Sequence, residues 1–346
     1  MNRFVLRTRT EIVRPVGHVI SVQVLIALMV LPVVLVYTGC KIDPGLDTLG
    51  SSLIIEGLTA DNYPKVDGST STEPLNTIIA CKLFGIRYKW APHYWNLQRI
   101  EPNLNGDDTE KLFDLVKSSQ THQSFLNLIN KEADLILSAR KMSPDEKTAA
   151  GAAGLTLIET PVALDAFVFI VNPGNPVNSL TTKQIQDIYT KKITNWGELG
   201  WAGDSAPSII PYVRNANSGS QELMETLVMK DLDMAEFFVN YDELIVFNMT
   251  GAVDRVFQEY NAICYTVYYF KEYMVTGINV KSLAVDGIYP GRETIGNRSY
   301  PYTAEVYAVI RSGLDKSSMA YKLYEWLQTP AGKQAIGESG YVPITL

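Results

Sequence analysis

Hydrophobic positions fall into two regimes along the chain. Residues 19–37 form an almost uncharged apolar run, preceded by Arg3, Arg7, Arg9 and Arg14 and closed by Thr38-Gly39-Cys40. Beyond it, short apolar runs with β-branched and aromatic residues alternate with stretches whose apolar residues recur every three or four positions. The first kind predicts strands at 65–67, 133–138, 167–171, 209–213 and 262–265. The second predicts helices around Leu75, Ile78, Ile79 and Leu83; Phe125, Leu128 and Ile129; Leu223, Met224, Leu227 and Val228; and Tyr321, Leu323, Tyr324 and Leu327. Such alternation implies an α/β fold with helices covering mainly parallel sheets. Two long apolar strands, 160–173 and 300–310, the former bounded by proline, suit a chain that leaves one domain, builds a second and returns. Residues 87–109 show no period and read as a loop-rich insertion.

The apolar run at the N-terminus has the parts of an export signal: a basic start, an apolar centre and small residues before the break. Its ending, YTGC, resembles a bacterial lipobox, which would make Cys40 the lipidated first residue of the processed protein. The alternative is an uncleaved membrane anchor, since a run of this length is close to the about 20 residues a spanning helix needs. Either reading puts the remaining chain outside the cytoplasm. Residues 41–52, rich in Gly, Pro and Ser, suit a tether. Of the three cysteines, Cys81 and Cys264 are then expected to be buried free thiols.

Charge narrows the functional classes. The chain carries 30 Lys and Arg against 37 Asp and Glu, a net charge of −7. No basic cluster offers the phosphate-backbone contacts that nucleic-acid binding requires. With three His and no paired Cys motif, a metal site is not expected, nor is a cofactor. Four Arg and one Glu precede Cys40, so processing would make the protein more acidic still.

The informative feature is a polar turn that recurs between a strand and a helix. It occurs as Asp67-Gly68-Ser69-Thr70-Ser71-Thr72-Glu73-Pro74, as Ser118-Ser119-Gln120-Thr121-His122-Gln123-Ser124, and as Arg214-Asn215-Ala216-Asn217-Ser218-Gly219-Ser220-Gln221. Thr70 with Glu73, and Ser218 with Gln221, have capping-box spacing. An ordinary N-cap explains each turn singly. It does not explain the Arg four residues before Ser-Gly-Ser. Helix starts carry unpaired N–H groups and the positive end of the helix dipole, and Gly lets a ligand approach the backbone. Several such starts and a guanidinium, brought to one point, would hold a small tetrahedral oxyanion. His122 adjoins the second turn, and a ligand contact there is the alternative to a plain surface histidine. His93 reads as a loop histidine, Trp196 as a packing anchor, and Tyr265, Tyr268, Tyr269 and Phe270 as core.

On these stretches, together with ADLILSARKM, DAFVFIVNPGNPV, IYTKKITNWGELG, AICYTVYYFKEYM and YPYTAEVYAVI, the chain resembles the extracytoplasmic phosphate-binding proteins of Pst-type ABC transporters. The resemblance implies a two-lobed type II periplasmic-binding-protein fold of the α/β class, with two crossover strands and a ligand cleft between the lobes. It divides the chain into a signal peptide (1–39), a tether (40–55), lobe I (56–164), lobe II (165–303) and a return to lobe I (304–346). It implies phosphate ligands at Ser69, Thr70 and Ser71, at Ser124, at Ser138 and Arg140, and at Arg214, Ser218, Gly219 and Ser220.

One position departs from the family. Many relatives carry Asp directly after the Ser that ends the ADLILS strand, as acceptor for the proton of phosphate; here that residue is Ala139. Asp67 or Glu222 could accept instead, or could be capping carboxylates. Ala304 and Glu305 likewise stand where relatives often have Arg and Pro. The implied function is a monomeric, non-enzymatic lipoprotein that captures inorganic phosphate for an ABC permease and is held to the membrane by its lipid. The alternatives are a binder of sulfate, tungstate or another oxyanion, and a non-transport sensor or surface lipoprotein on the same scaffold.

Overall fold

The structure, a computed structural model, describes residues 55–93, 95–203 and 205–344. The expected signal peptide, Cys40 and all of the tether but its last residue lie outside the described residues. Strands β1 (Val66–Gly68), β2 (Tyr88–Pro92), β3 (Gln98–Pro102), β4 (Leu135–Ser138), β5 (Leu157–Val171), β6 (Ser179–Leu180) and β7 (Ile210–Pro211) come first. They are followed by β8 (Val213–Arg214), β9 (Ile245–Val246), β10 (Ala262–Val267), β11 (Lys281–Ser282), β12 (Ala284–Val285), β13 (Thr303–Arg311) and β14 (Val342–Pro343). Between the first of these lie helices α1 (Glu73–Leu83), α2 (Gly106–Leu115), α3 (Thr121–Ile129), α4 (Pro144–Ala152) and α5 (Thr182–Tyr189). The later helices are α6 (Gly219–Leu223), α7 (Ala235–Asn240), α8 (Met249–Gln258), α9 (Arg292–Gly296), α10 (Met319–Trp326) and α11 (Pro330–Glu338).

The main sheet has the order β1-β4-β13-β5-β10-β7, with β11 and β14 also paired to β5. Strand β5 belongs to both halves. Its residues 157–166 pair with β13, from Leu157 opposite Arg311 to Ala166 opposite Thr303. Its residues 167–171 pair with β10, from Phe167 opposite Val267 to Val171 opposite Ile263. The result is two α/β lobes joined through β5 and β13.

Three expectations change. The sheets are mixed and not mainly parallel: β1 with β4 and β10 with β7 are parallel, but every partner of β5 is antiparallel to it. A chain that crosses outward on β5 and returns on β13 must run those two strands in opposite directions. The first crossing also extends through proline, with Pro161 inside β5. Pro161 lies opposite Tyr307, where the register of β13 shifts; a bulge spares the ladder bond that proline cannot donate. Finally, residues 87–109 contain the antiparallel hairpin β2–β3 and the start of α2. The hairpin docks on the segment before Gly277: Gln98 Nε2 donates to the Tyr273 carbonyl at 2.8 Å and Thr276 N to the Asn96 carbonyl at 2.7 Å.

Burial follows the apolar pattern. Phe167, Phe169, Tyr189, Tyr265 and Phe270 are fully buried, with Phe167 meeting Phe169 at 5.5 Å between ring centroids and Tyr265 at 5.2 Å. Sequestering each such side chain contributes about 1.5–3 kcal/mol. Trp196 is completely buried and anchors its turn by donating its indole N–H to the Asn261 carbonyl at 2.8 Å. Cys81 and Cys264 are buried free thiols, and burial pushes both up to about 12, which leaves them protonated and unreactive at neutral pH. Among the described residues no helix is long and apolar enough to cross a membrane.

Candidate functional site

All three polar turns open onto one cavity of about 390 Å³, walled by Ser69, Thr70 and Ser71, by residues 120–123 and by residues 214–220, with Ala139, residues 248–250 and Val267 completing it. The first turn is set by Gly68, where a Cβ would stand 2.5 Å from both the Leu137 carbonyl and Thr72 Oγ1. Only glycine lets β1 pass so close to β4 before the chain bends into α1. Ser69 then ties the turns together: its Oγ accepts from Ala139 N at 2.9 Å and meets Thr121 Oγ1 at 2.8 Å.

The second turn enters α3 through Gln120, whose φ of 70° is unusual for a residue with a side chain. That kink aims the first turn of α3 at the cavity. The third turn uses a similar device at Asn217, with φ 62°, after which Ser218 caps α6 by accepting from Gln221 N at 3.2 Å. The backbone N–H groups of Thr70, Ser71, Thr121, His122, Gln123, Gly219 and Ser220 find no acceptor among the described residues. These are the donors that helix starts leave unpaired. All seven belong to residues that line the one cavity.

Arg214 is the charged centre of the site. It is 3 % exposed, and its Nε donates to the Val246 carbonyl at 2.9 Å while Nη1 lies 3.5 Å from Ser220 Oγ. Its backbone N–H donates to Tyr265 Oη at 3.0 Å, so the aromatic core fixes its position. No carboxylate of the described residues lies within ion-pair distance of it. Burial therefore pulls its pKa below the ordinary value. A buried guanidinium without a counter-ion is costly, and an anion in the cavity relieves that cost.

Of the ten expected ligands, Ser69, Thr70, Ser71, Arg214, Ser218, Gly219 and Ser220 line the cavity. Ser124, Ser138 and Arg140 do not. Ser124 sits three residues inside α3, and its Oγ turns back to the Thr121 carbonyl at 2.8 Å. Ser138 Oγ donates to the Arg140 carbonyl at 2.7 Å. Arg140 is committed to Glu146 through Nη1 at 2.7 Å and Nη2 at 2.8 Å, and Nη2 also reaches the Asn217 carbonyl at 3.2 Å.

Glu146 is itself completely buried. Its Oε2 also accepts from Ser143 N at 2.8 Å and its Oε1 lies 2.9 Å from His122 Nδ1. This network stands directly behind the wall and joins the second turn to the third.

Neither carboxylate proposed as a proton acceptor reaches the cavity. Asp67 is consumed by Gly68 N, Ser119 N and Asn127 Nδ2 at 2.7, 2.8 and 2.7 Å. Glu222 is not in the wall either, and burial raises its carboxyl above the ordinary range.

Sequence reasoning missed residues 248–250, which form a fourth helix start: Asn248 caps α8 by accepting from Gly251 N at 2.6 Å. The same strand–turn–helix order would have found it, but β9 is only two residues long and gives no strand signal. Among the described residues no three His, Cys, Asp or Glu gather as a metal site.

Comparison with known proteins accords with this architecture. A model described as the PBP superfamily domain matches residues 106–330. The protein SphX of Synechococcus elongatus is 26 % identical over 237 residues, covering 65 % of this chain and 67 % of that protein. The phosphate-binding protein PstS of Pseudomonas aeruginosa is 23 % identical over 295 residues, covering 82 % of this chain and 86 % of its own. In fold, the chain resembles a putative phosphate ABC transporter substrate-binding protein from Clostridium perfringens, at 24 % identity and a TM-score of 0.57 over 81 % of this chain and 98 % of that one. It also resembles an ABC-type phosphate transport receptor from Vibrio cholerae, at 20 % identity and a TM-score of 0.55 over 80 % and 98 %. Two α/β lobes, two crossover strands and an intervening cleft make a type II periplasmic-binding-protein fold, and the protein belongs to the PBP superfamily.

Proposed function

We propose that this protein captures inorganic phosphate in the cavity and presents it, enclosed, to the permease of an ABC transporter. The observation that carries the reading is the buried, counter-ion-free Arg214 set among seven unpaired backbone N–H groups. Hydrogen bonds to a charged group contribute about 1.5–3 kcal/mol each, and no carboxylate in the wall opposes an anion. The relatives named as phosphate-binding proteins support the choice of phosphate within the oxyanions.

In this reading residues 56–164 and 304–346 form one lobe and 165–303 the other. Turns one and two come from the first lobe and turn three from the second, so a ligand joins contacts that exist together only when the lobes are closed. Cys40 carries the lipid that holds the protein at the outer face of a membrane, and the protein acts as a monomer. In this reading the site binds its ligand and releases it unchanged.

The test is equilibrium binding of labelled phosphate to the wild-type protein and to Arg214→Ala. Arg214→Ala should weaken phosphate at least about 100-fold, which corresponds to about 2.7 kcal/mol, while the folded far-ultraviolet spectrum is retained. Affinity within about tenfold of wild type would overturn the assignment.

A further inference from the structure

We infer that His122, fixed in one tautomer by Glu146, is the group that accepts the proton of phosphate and so discriminates phosphate from sulfate. The inference rests on the phosphate reading and names the part of the cavity that sets its selectivity. Monohydrogen phosphate and sulfate have the same shape and charge. They differ in that phosphate retains one P–O–H donor, which an acceptor in the wall can use and which sulfate cannot supply. In the wall the backbone N–H groups and Arg214 only donate, while the hydroxyls and side-chain amides can either donate or accept and so serve both anions. It contains no carboxylate, and besides Arg214 its only titratable side chain is His122.

Hydrogen-bond accounting sets the tautomer. An ionised carboxylate accepts and cannot donate. Glu146 takes both Arg140 nitrogens, Ser143 N and His122 Nδ1, at 2.7–2.9 Å. Glu146 is completely buried and forms a bidentate ion pair with Arg140. His122 Nδ1 must therefore carry a hydrogen and donate it. In the neutral ring that leaves Nε2 with a bare lone pair. Nε2 has no partner among the described residues, and the side chain is 33 % exposed, in a residue of the cavity wall. A bound phosphate can direct its P–O–H to that lone pair. Sulfate would oppose it with an oxygen lone pair.

Asn215 is the competing acceptor, because its Oδ1 is buried without a partner in the same wall. Its amide, however, is held only by a long bond from Nδ2 to the neighbouring Ala216 carbonyl, at 3.3 Å; an amide that turns presents either a donor or an acceptor, and so does not reject sulfate. The neutral His122 ring, with Nδ1–H held by Glu146, presents an acceptor alone at Nε2.

Phosphate and sulfate titrations of the full-length protein, wild type against His122→Phe, His122→Gln and Asn215→Ala, test the inference. His122→Phe should lower the phosphate-to-sulfate affinity ratio at least about tenfold, with sulfate binding unweakened. His122→Gln should also lower the ratio, because a rotating amide serves both anions. Should His122→Phe fail to fold, ¹⁵N spectra of the wild-type protein carry the test without any variant, the chain having only three His. They should show an unprotonated Nε2 in the free protein that becomes a hydrogen-bond acceptor on adding phosphate. An unchanged ratio in both His122 variants, a ratio lost only in Asn215→Ala, or a protonated Nε2 at neutral pH would each overturn the role of His122 while leaving phosphate capture intact. Wild-type protein that binds neither anion would instead overturn the phosphate reading itself.

Discussion

Asp165 should make the stability of this protein fall as pH rises, and Asp165→Asn should abolish that fall. The residue lies on β5 where the strand passes from one half of the sheet to the other, 3 % exposed. Its Oδ1 accepts from Ala166 N at 2.7 Å and from Tyr269 N at 3.0 Å, while Oδ2 is buried without a partner. Burial raises this carboxyl from 3.8 to about 7, against the two hydrogen bonds that favour the charged form. The folded state then holds a proton between about pH 4 and 7 that the unfolded chain has released. Stability from this group is complete below that window, declines through it, and is constant above. Three pH units correspond to about 4 kcal/mol, an upper limit because a buried carboxylate can recruit water. An asparagine keeps the Oδ1 acceptor and has no proton to lose. Urea unfolding of both proteins in phosphate-free buffer, at about pH 4 and pH 8, gives the comparison, and other titrating groups cancel in the difference. Asp165→Asn should match wild type at the lower pH and exceed it by as much as about 4 kcal/mol at the higher. A difference that is the same at both pH values would show that Asp165 is charged throughout and refute the reasoning.

Two glycines give further tests. A Cβ on Gly219 would stand 2.5 Å from Thr121 Oγ1, so Gly219→Ala should hold the second and third turns apart and weaken phosphate about tenfold or more in a binding assay. Thr121→Ala in the same chain should recover part of that loss, a coupling read from the double-mutant cycle. A Cβ on Gly332 would lie 2.2 Å from the Trp326 carbonyl and 2.7 Å from Leu327 Cα. Gly332→Ala should therefore cost about 3 kcal/mol in denaturant unfolding. If helix propensity governed instead, the substitution would stabilise by about 1 kcal/mol.

What could be read in the chain was whatever local chemistry dictates. The three polar turns were visible because caps, prolines and glycines act within a few residues, and their meeting in one cavity accords with that reading. Choosing the ligand within a turn was harder. Ser124 and Thr121 are equally plausible by composition, and only the kink at Gln120 makes Thr121, not Ser124, the start of α3. Arg140 was expected among the ligands through the family resemblance, and its commitment to Glu146, six positions away across a turn, is one that no periodicity reveals. The hairpin at 88–102 was hidden because its alternation is too short to register: apolar and polar pairs alternate from Tyr88 with Pro102, through Lys89 with Glu101, to Trp90 with Ile100, and the pattern is lost toward the turn, where Ala91 faces Arg99 and Pro92 faces Gln98. Strand direction was equally out of reach, being fixed by partners far apart in sequence, such as Val66 with Leu135, Ile263 with Val171 and Thr303 with Ala166.

The place of β13 in the sheet has a consequence for how the chain acquires its structure. Strands β4 and β5 are neighbours in sequence, yet β13 lies between them, so residues 135–138 and 157–166 have no shared partner until residues 303–311 exist. Bridging them requires closing a loop of more than 130 residues, the kind of long-range pairing that slows folding. During synthesis the first half of the chain must wait with two unfilled strand edges exposed, and a protein cut short before Thr303 would keep them so. A strand from near the end of the sequence is thus what joins β4 to β5 in the sheet.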